Sequence, residues 1–397
     1  MDVKRRNVLT AGAAGAVGLA ATLGGVTDAR AATIQAVAPA DPPALASGSL
    51  RDLAAAIGLR VGSAIIPQDI NTPAWAAVAA SQFSVVTPGN EMKWGVVEPT
   101  TPGVFDWSGA DNLMAFAKAN HQLVRGHTLC WHNQLPNWLT SGVSAGTISK
   151  SQLSSLLQQH IYTEVGRYRG RIWQWDVCNE FLTDSNPSGL NPNDFWIANL
   201  GTGVIADAFR WARQADPHAL LFYNDYNIGG EDGSNAKADA AYALAKQLLD
   251  QHVPIDGIGI QGHLDTQYGW SPARLQQDIE RYASLGLKVA ITEADVRTFV
   301  DGPTTQVPTD NLAQFAQPFE FSEMLKAGLA VPEFISFTVW GFTDADSWVP
   351  GFFTGEGYAT IYDVNLNPKA AYSALQTNLA IAADGAPRRV RTYSPPA

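Results

Sequence analysis

Short apolar runs alternate with longer, half-polar segments along most of this chain. Eight runs are nearly continuous in apolar residues: Leu59–Ile66, Val85–Asn90, Gln122–Leu129, Ile172–Glu180, Ala219–Asn227, Gly257–Leu264, Lys288–Asp295 and Ile335–Phe342. Strands buried on both faces of a parallel sheet read this way, because covering helices leave neither face to water. Between the runs lie helix-length segments: Pro73–Phe83, Ala110–Asn120, Ser149–Arg169, Asp194–Ala215, Ser234–His252, Pro272–Leu285 and Asp310–Gly328, with a last one at Pro368–Ala382. Thr72-Pro73 and Ser271-Pro272 each place a cap-type residue before a proline. Proline suits the first helical position, where the N–H has no intrahelical partner anyway. Eight strand–helix units predict an α/β chain folded as a single (β/α)8 TIM barrel. An open doubly wound sheet would need a glycine-rich phosphate loop after an early strand. Gly229-Gly230 follow the fifth run without that spacing.

The two ends of the chain break the pattern. Lys4-Arg5-Arg6-Asn7-Val8-Leu9, the small-residue apolar run to Val26 and Ala29-Arg30-Ala31 form a twin-arginine-type signal with a cleavage site,. Residues 1–31 are therefore set aside as a targeting segment, and the mature protein is expected in the periplasm or the medium, off the membrane. Residues 32–48 carry Pro39, Pro42 and Pro43 and read as a flexible lead; residues 49–383 form the barrel, and residues 384–397 a fraying Pro/Arg tail.

Composition narrows the partners. A net charge of −11 disfavours nucleic acid, whose phosphates need a basic face,. It fits an enzyme acting on a neutral polymer, and a monomer is expected. Twelve tryptophans exceed what packing alone requires and allow some rings to stack on sugar faces,. Cys130 and Cys178 sit near the ends of neighbouring runs. Two buried free thiols are the plain reading, with a bridge geometrically open.

A barrel carries its working residues at the C-terminal ends of its strands. Seven of the eight ends are loaded: Asn90 with Lys93 and Trp94; His127 with Trp131, His132 and Gln134; Asn179 and Glu180; Asn224, Asp225 and Tyr226; Gln261 and His263; Glu293 and Asp295; Trp340 with Trp348. Two glutamates at two strand ends are the minimum apparatus for cutting a glycosidic bond by double displacement. Glu180 and Glu293 are those two. The histidines lie on different strand ends without a closely spaced ligand pair, so neither metal nor cofactor is implied.

Trp175–Glu180, Ile291–Asp295, Arg125–Gln134, Asn90–Trp94, Gly257–His263 and Thr338–Trp348 resemble, in order, the motifs of glycoside hydrolase family 10. The likeness runs from roughly residue 50 to residue 380. It implies a retaining endo-1,4-β-xylanase acting on xylan or xylo-oligosaccharides. Position by position, Glu180 resembles the family's acid/base and Glu293 its nucleophile. One carboxyl must be protonated to hand a proton to the leaving oxygen, and the other ionised to attack the anomeric carbon. His263 resembles the histidine that hydrogen-bonds the nucleophile, with Asp295 orienting it. Asn179 resembles the amide that holds the 2-hydroxyl of the sugar being cleaved. The resemblance further implies that Asn90, Lys93, His127 and Gln134 grip hydroxyls on the non-reducing side. Trp131, Trp340 and Trp348 would wall the pocket, and Tyr226 and Gln261 would line the cleft. Asp225 reads as a structural acceptor in its turn.

Three positions depart from the family. Gly89 stands where a glutamate usually contacts the second sugar on the non-reducing side. Glu91, two positions on, is expected to point to the opposite side and need not replace it. Phe181 and Ala294 flank the catalytic pair where a small residue and a leucine are usual. The Gly89 departure keeps a second target in play, another β-1,4-glycan or a glycosylated small molecule. A sugar-binding barrel without catalysis is the third reading, opposed by the presence of both glutamates and their supporting residues.

Overall fold

The computed structural model describes residues 47–300, 308 and 311–385. The leader, most of the lead and the tail after Gly385 lie outside these residues. Barrel strands are β1 (Arg60–Ile65), β2 (Val85–Pro88), β3 (Leu123–Trp131), β4 (Gln174–Asn179), β5 (Leu220–Asp225), β6 (Gly257–Ile260), β8 (Lys288–Phe299) and β9 (Phe334–Val339). Each pairs in parallel with the next, and β9 returns to β1, closing a (β/α)8 TIM barrel. Two short strands, β7 (His263–Asp265) and β10 (Glu356–Gly357), pair with the far half of β8 above the barrel.

Helices between the strands bury their apolar faces against the barrel's outside. The inside is built in layers. Val85, Trp173, Leu220, Phe222 and Ala290, all near strand beginnings, form a separate apolar cluster with Leu123 and Ile335. This cluster plugs the N-terminal end, leaving the C-terminal end for chemistry. Two glycines make room inside. A Cβ on Gly126 would fall 2.2 Å from the Trp175 ring, and one on Gly259 would fall 2.3 Å from Asn224 Oδ1. Substituting Gly259 would thus displace a side chain that turns out to sit beside Glu293.

Local signals account for most helix ends. Ser149 and Gln152 form a reciprocal capping box before helix Lys150–Arg167, satisfying two otherwise unpaired N–H groups. Ser271 caps helix Pro272–Ser284. One expectation is corrected: Asp194–Ala215 is two helices, Phe195–Leu200 and Val204–Ala215. Gly201 takes φ +88° between them, a left-handed conformation open to glycine that ends the first helix. The sixth run is also corrected. It stops at Ile260, turns at Gly262 with φ +79°, and resumes as β7. The seventh run extends past Asp295 to Phe299 because β7 and β10 supply ladder partners there. Cys130 and Cys178 are register partners on β3 and β4, both buried and unbridged. No helix among the described residues is long and apolar enough to cross a membrane.

Candidate active site

Glu180 follows the last residue of β4, and its backbone turns left-handed there, with φ +61°. That turn takes its side chain off the strand's alternation and onto the rim. Its carboxylate accepts two hydrogen bonds, from Trp131 Nε1 (2.9 Å) and from Gln261 Nε2 (2.9 Å). Glu293 lies within β8 and is almost wholly buried. Gln261 connects the two, since its carbonyl also accepts the Glu293 N–H at 2.8 Å.

The surroundings of Glu293 are cationic and donor-rich. Asn224 Nδ2 donates to its Oε1 at 2.8 Å, Arg125 lies 3.4 Å from the same oxygen, and His263 Nε2 lies 3.6 Å from Oε2. Burial pushes the carboxyl up, but the His263 hydrogen bond and the fields of His127 and Arg125 outweigh it. The net effect holds Glu293 well below the usual carboxylate range, hence ionised. His263 Nδ1 meets Asp295 Oδ1 at 2.9 Å. Burial opposes its charge, yet Asp295 and Glu293 push the imidazole up to about 10. Trp348 Nε1 donates to the other Asp295 oxygen at 2.7 Å, and its ring stands edge-on to His263.

Asn179 is buried at the end of β4. Its Oδ1 accepts from Asn224 Nδ2 at 2.8 Å, while its own Nδ2 has no partner among the described residues. A buried donor left open beside the two carboxylates is suited to a ligand hydroxyl. On one side Asn90 Oδ1 accepts from Lys93 Nζ and from Gln134 Nε2, each at 3.1 Å. Lys93 is buried, and desolvation lowers its pKa against the pull of Glu293 and Glu180. Its ammonium sits 5.1 Å from the centre of the Trp131 ring. The Trp340 ring stands edge-on to His127, 5.1 Å centre to centre. Across the site, Tyr226 Oη donates to Asp184 Oδ2 at 3.0 Å and its ring carries Lys237. The candidate residues are therefore brought to one rim. Glu91 does turn away: its Oε2 accepts the Asn90 N–H and its methylenes lie by Gly109.

Arg125, Asp176 and Thr292 had no role in the sequence reading, which named Asn224 only as a strand-end residue. Arg125 bonds Asp176, donates to the Thr292 carbonyl at 3.1 Å and reaches Glu293. Asp176 also meets His127 Nδ1 at 2.9 Å, and Thr292 Oγ1 donates to Asn224 Oδ1 at 2.6 Å. The available signal was Arg125 and His127 two apart in an apolar run, hence on one strand face. His127, Asp176 and Glu293 offer ligand atoms within 4.8 Å of one another. Arg125 already pairs with two of the three, so the positive charge they require is supplied by protein.

Comparison with known proteins agrees with this architecture. Residues 49–378 match the family model for glycosyl hydrolase family 10. An endo-1,4-β-xylanase of Agaricus bisporus is 41% identical over 295 residues, covering 74% of this chain and 83% of that one. Endo-1,4-β-xylanase B of Thermotoga neapolitana is 38% identical over 330 residues, covering 82% and 90%. Among solved structures, xylanase 10B of Thermotoga petrophila RKU-1 in complex with xylobiose superposes with a TM-score of 0.78 at 36% identity, covering 85% of this chain and 98% of that one. A family match across the whole barrel, on a fold whose polar residues converge on two rim glutamates, leaves one assignment: the chain is a glycoside hydrolase belonging to glycosyl hydrolase family 10.

Proposed function

We propose that the protein is an endo-1,4-β-xylanase that cleaves internal bonds of xylan with retention, through a covalent glycosyl-enzyme. Glu293 attacks the anomeric carbon; Glu180 first protonates the leaving oxygen and then activates water. The observation that carries this division is electrostatic. Glu293 is buried and held ionised by His263, His127 and Arg125, whereas Glu180 lies less buried at the rim, hydrogen-bonded to the side chains of Trp131 and Gln261. An ionised nucleophile opposite a second carboxyl is what double displacement needs. Asn179 offers its open Nδ2 to the 2-hydroxyl, and Asn90, Lys93, His127 and Gln134 bind the sugars on the non-reducing side. Trp131, Trp340 and Trp348 supply the walls, with Tyr226 and Gln261 lining the cleft near the cleavage point. The xylanase relatives and the xylobiose-bound neighbour support xylo-oligosaccharides as the substrate class. The twin-arginine pattern in residues 1–31 supports export of the folded enzyme.

The test uses aryl xylobiosides. Glu293→Ala should abolish hydrolysis. Glu180→Ala should spare a dinitrophenyl leaving group far more than xylan, because that group departs without a proton. Equal loss on both would remove Glu180 from the acid role. Gly89 supports a second reading, since among the described residues only the Ile65 carbonyl, at 3.4 Å, stands near a Cβ there. Equal or faster turnover of aryl cellobioside would favour a different β-1,4-glycan.

A further inference from the structure

Three buried groups on the β5 side bear on Glu180 without contacting its carboxylate. Tyr223 is almost wholly inaccessible, and so are Asp225 and Lys237. Tyr223 Oη accepts the N–H of Phe181, the residue after Glu180, at 3.2 Å. Its own proton goes to Asp225 Oδ2 at 2.5 Å. Asp225 Oδ1 in turn meets Lys237 Nζ at 3.0 Å and accepts the Tyr226 N–H at 2.9 Å. Lys237 also holds Asp184, in the segment leading away from Glu180, at 3.1 Å. On the preceding peptide unit, the Glu180 N–H donates to the Asn224 carbonyl at 3.0 Å.

These contacts bracket a backbone conformation at the rim that requires support. Glu180 has φ +61°, a region that non-glycine residues occupy only when their surroundings enforce it. The carboxylate's reach to Trp131 and Gln261 depends on that turn. A tyrosine is the suitable intermediary, because its hydroxyl accepts from one side and donates to the other. Burial, with Asp225 adding to it, pushes its phenol well above the usual range, so it keeps the proton it donates. Lys237 balances the buried Asp225 and prevents the chain of bonds from ending in an unpaired charge.

We propose that Tyr223, Asp225 and Lys237 are positioning residues for the acid/base: they lock the left-handed turn at Glu180 and thereby aim its carboxyl at the leaving oxygen. The proposal rests on Glu180 being the acid/base. It makes Asp225 more than an acceptor for its own turn.

The test is Tyr223→Phe, which removes one oxygen and keeps the ring. kcat/KM is measured for a series of aryl xylobiosides of decreasing leaving-group ability, alongside the thermal midpoint. A misaimed acid should lower kcat/KM for phenyl xylobioside at least 10-fold and for dinitrophenyl xylobioside less than 3-fold, steepening the leaving-group dependence. A general packing defect lowers all substrates equally, and that result overturns the proposal; so does an unchanged series. Should Tyr223→Phe not fold, Asp225→Asn serves, since it keeps shape and an acceptor oxygen while losing the charge paired with Lys237. It should steepen the dependence in the same direction, and a parallel loss on every substrate again overturns the proposal. If the wild-type enzyme itself leaves aryl xylobiosides intact, the substrate reading fails instead; if Glu180→Ala shows no leaving-group selectivity, the acid/base reading fails.

Discussion

Asn224 offers the sharpest test of how Glu293, the proposed nucleophile, is held. Its Nδ2 lies 2.8 Å from both Asn179 Oδ1 and Glu293 Oε1, and its Oδ1 accepts from Thr292. It is completely buried, and Gly259 leaves the space it fills. Asn224→Ala removes one charge-assisted hydrogen bond to the carboxylate, worth about 1.5–3 kcal/mol. At about 1.4 kcal/mol per decade of rate, kcat/KM should fall about 10- to 160-fold if the whole of that bond acts in the transition state. Dinitrophenyl xylobioside is the substrate of choice, because its departure needs no acid and the rate reports attack by Glu293. Asn224→Asp keeps the volume but sets a second carboxylate against Glu293, where like charges disfavour ionisation. It should therefore lose at least as much as the alanine variant. An aspartate variant retaining a third or more of wild-type kcat/KM would show that Asn224 merely fills space, and would refute the argument.

Three further outcomes follow from other parts of the molecule. His263 stands near 10 in the fold against an ordinary 6.5. Its ion pairs therefore stabilise the protein fully below about pH 6.5 and lose that contribution as pH rises through about 10. The difference in unfolding free energy between wild type and His263→Gln should shrink across that window, and a pH-independent difference would contradict the assignment. Glu320, in helix Asn311–Leu329, is pushed up to about 8 by burial with Asp265 adding to it, and its Oε2 has no partner among the described residues. A raised carboxyl pKa makes stability fall between about pH 4.5 and 8, because the unfolded chain gives up that proton first. Glu320→Gln should thus raise the thermal midpoint at pH 8 and leave it unchanged near pH 4.5; equal shifts at both pH values would refute this. At Gly89 a Cβ meets only ordinary contact, so Gly89→Glu should fold normally. One added hydrogen bond from a charged group should lower KM for xylotriose about 10-fold or more, and an unchanged KM would show that the second sugar lies out of reach.

The barrel was legible because its signals were local and repeated. Buried parallel strands produce apolar runs, and Ser149, Ser271 and Thr72-Pro73 mark helix starts in the sequence itself. The missed features depend on tertiary pairing. Nothing within Lys288–Phe299 shows that β8 continues past Asp295, because its partners come from residues 263–265 and 356–357. The break at Gly201 is an ordinary glycine until its left-handed backbone is seen. At the site, Glu180 and Glu293 stood out as carboxylates at the mouths of apolar runs. Arg125 and Asp176 were visible as charges inside apolar strands, yet their closure onto Glu293 needs three strands side by side. Tyr223 read as one more apolar strand residue, and only its hydroxyl contacts distinguish it.

The central claim is that Glu293 forms a covalent bond to the sugar and Glu180 serves it from the opposite face. Stereochemistry tests this most directly. Proton NMR of xylo-oligosaccharide hydrolysis, recorded within the first minutes before the anomers equilibrate, should show the β-anomer of the new reducing end appearing first. Initial accumulation of the α-anomer would mean a single inverting displacement, and the roles given to both glutamates would fall.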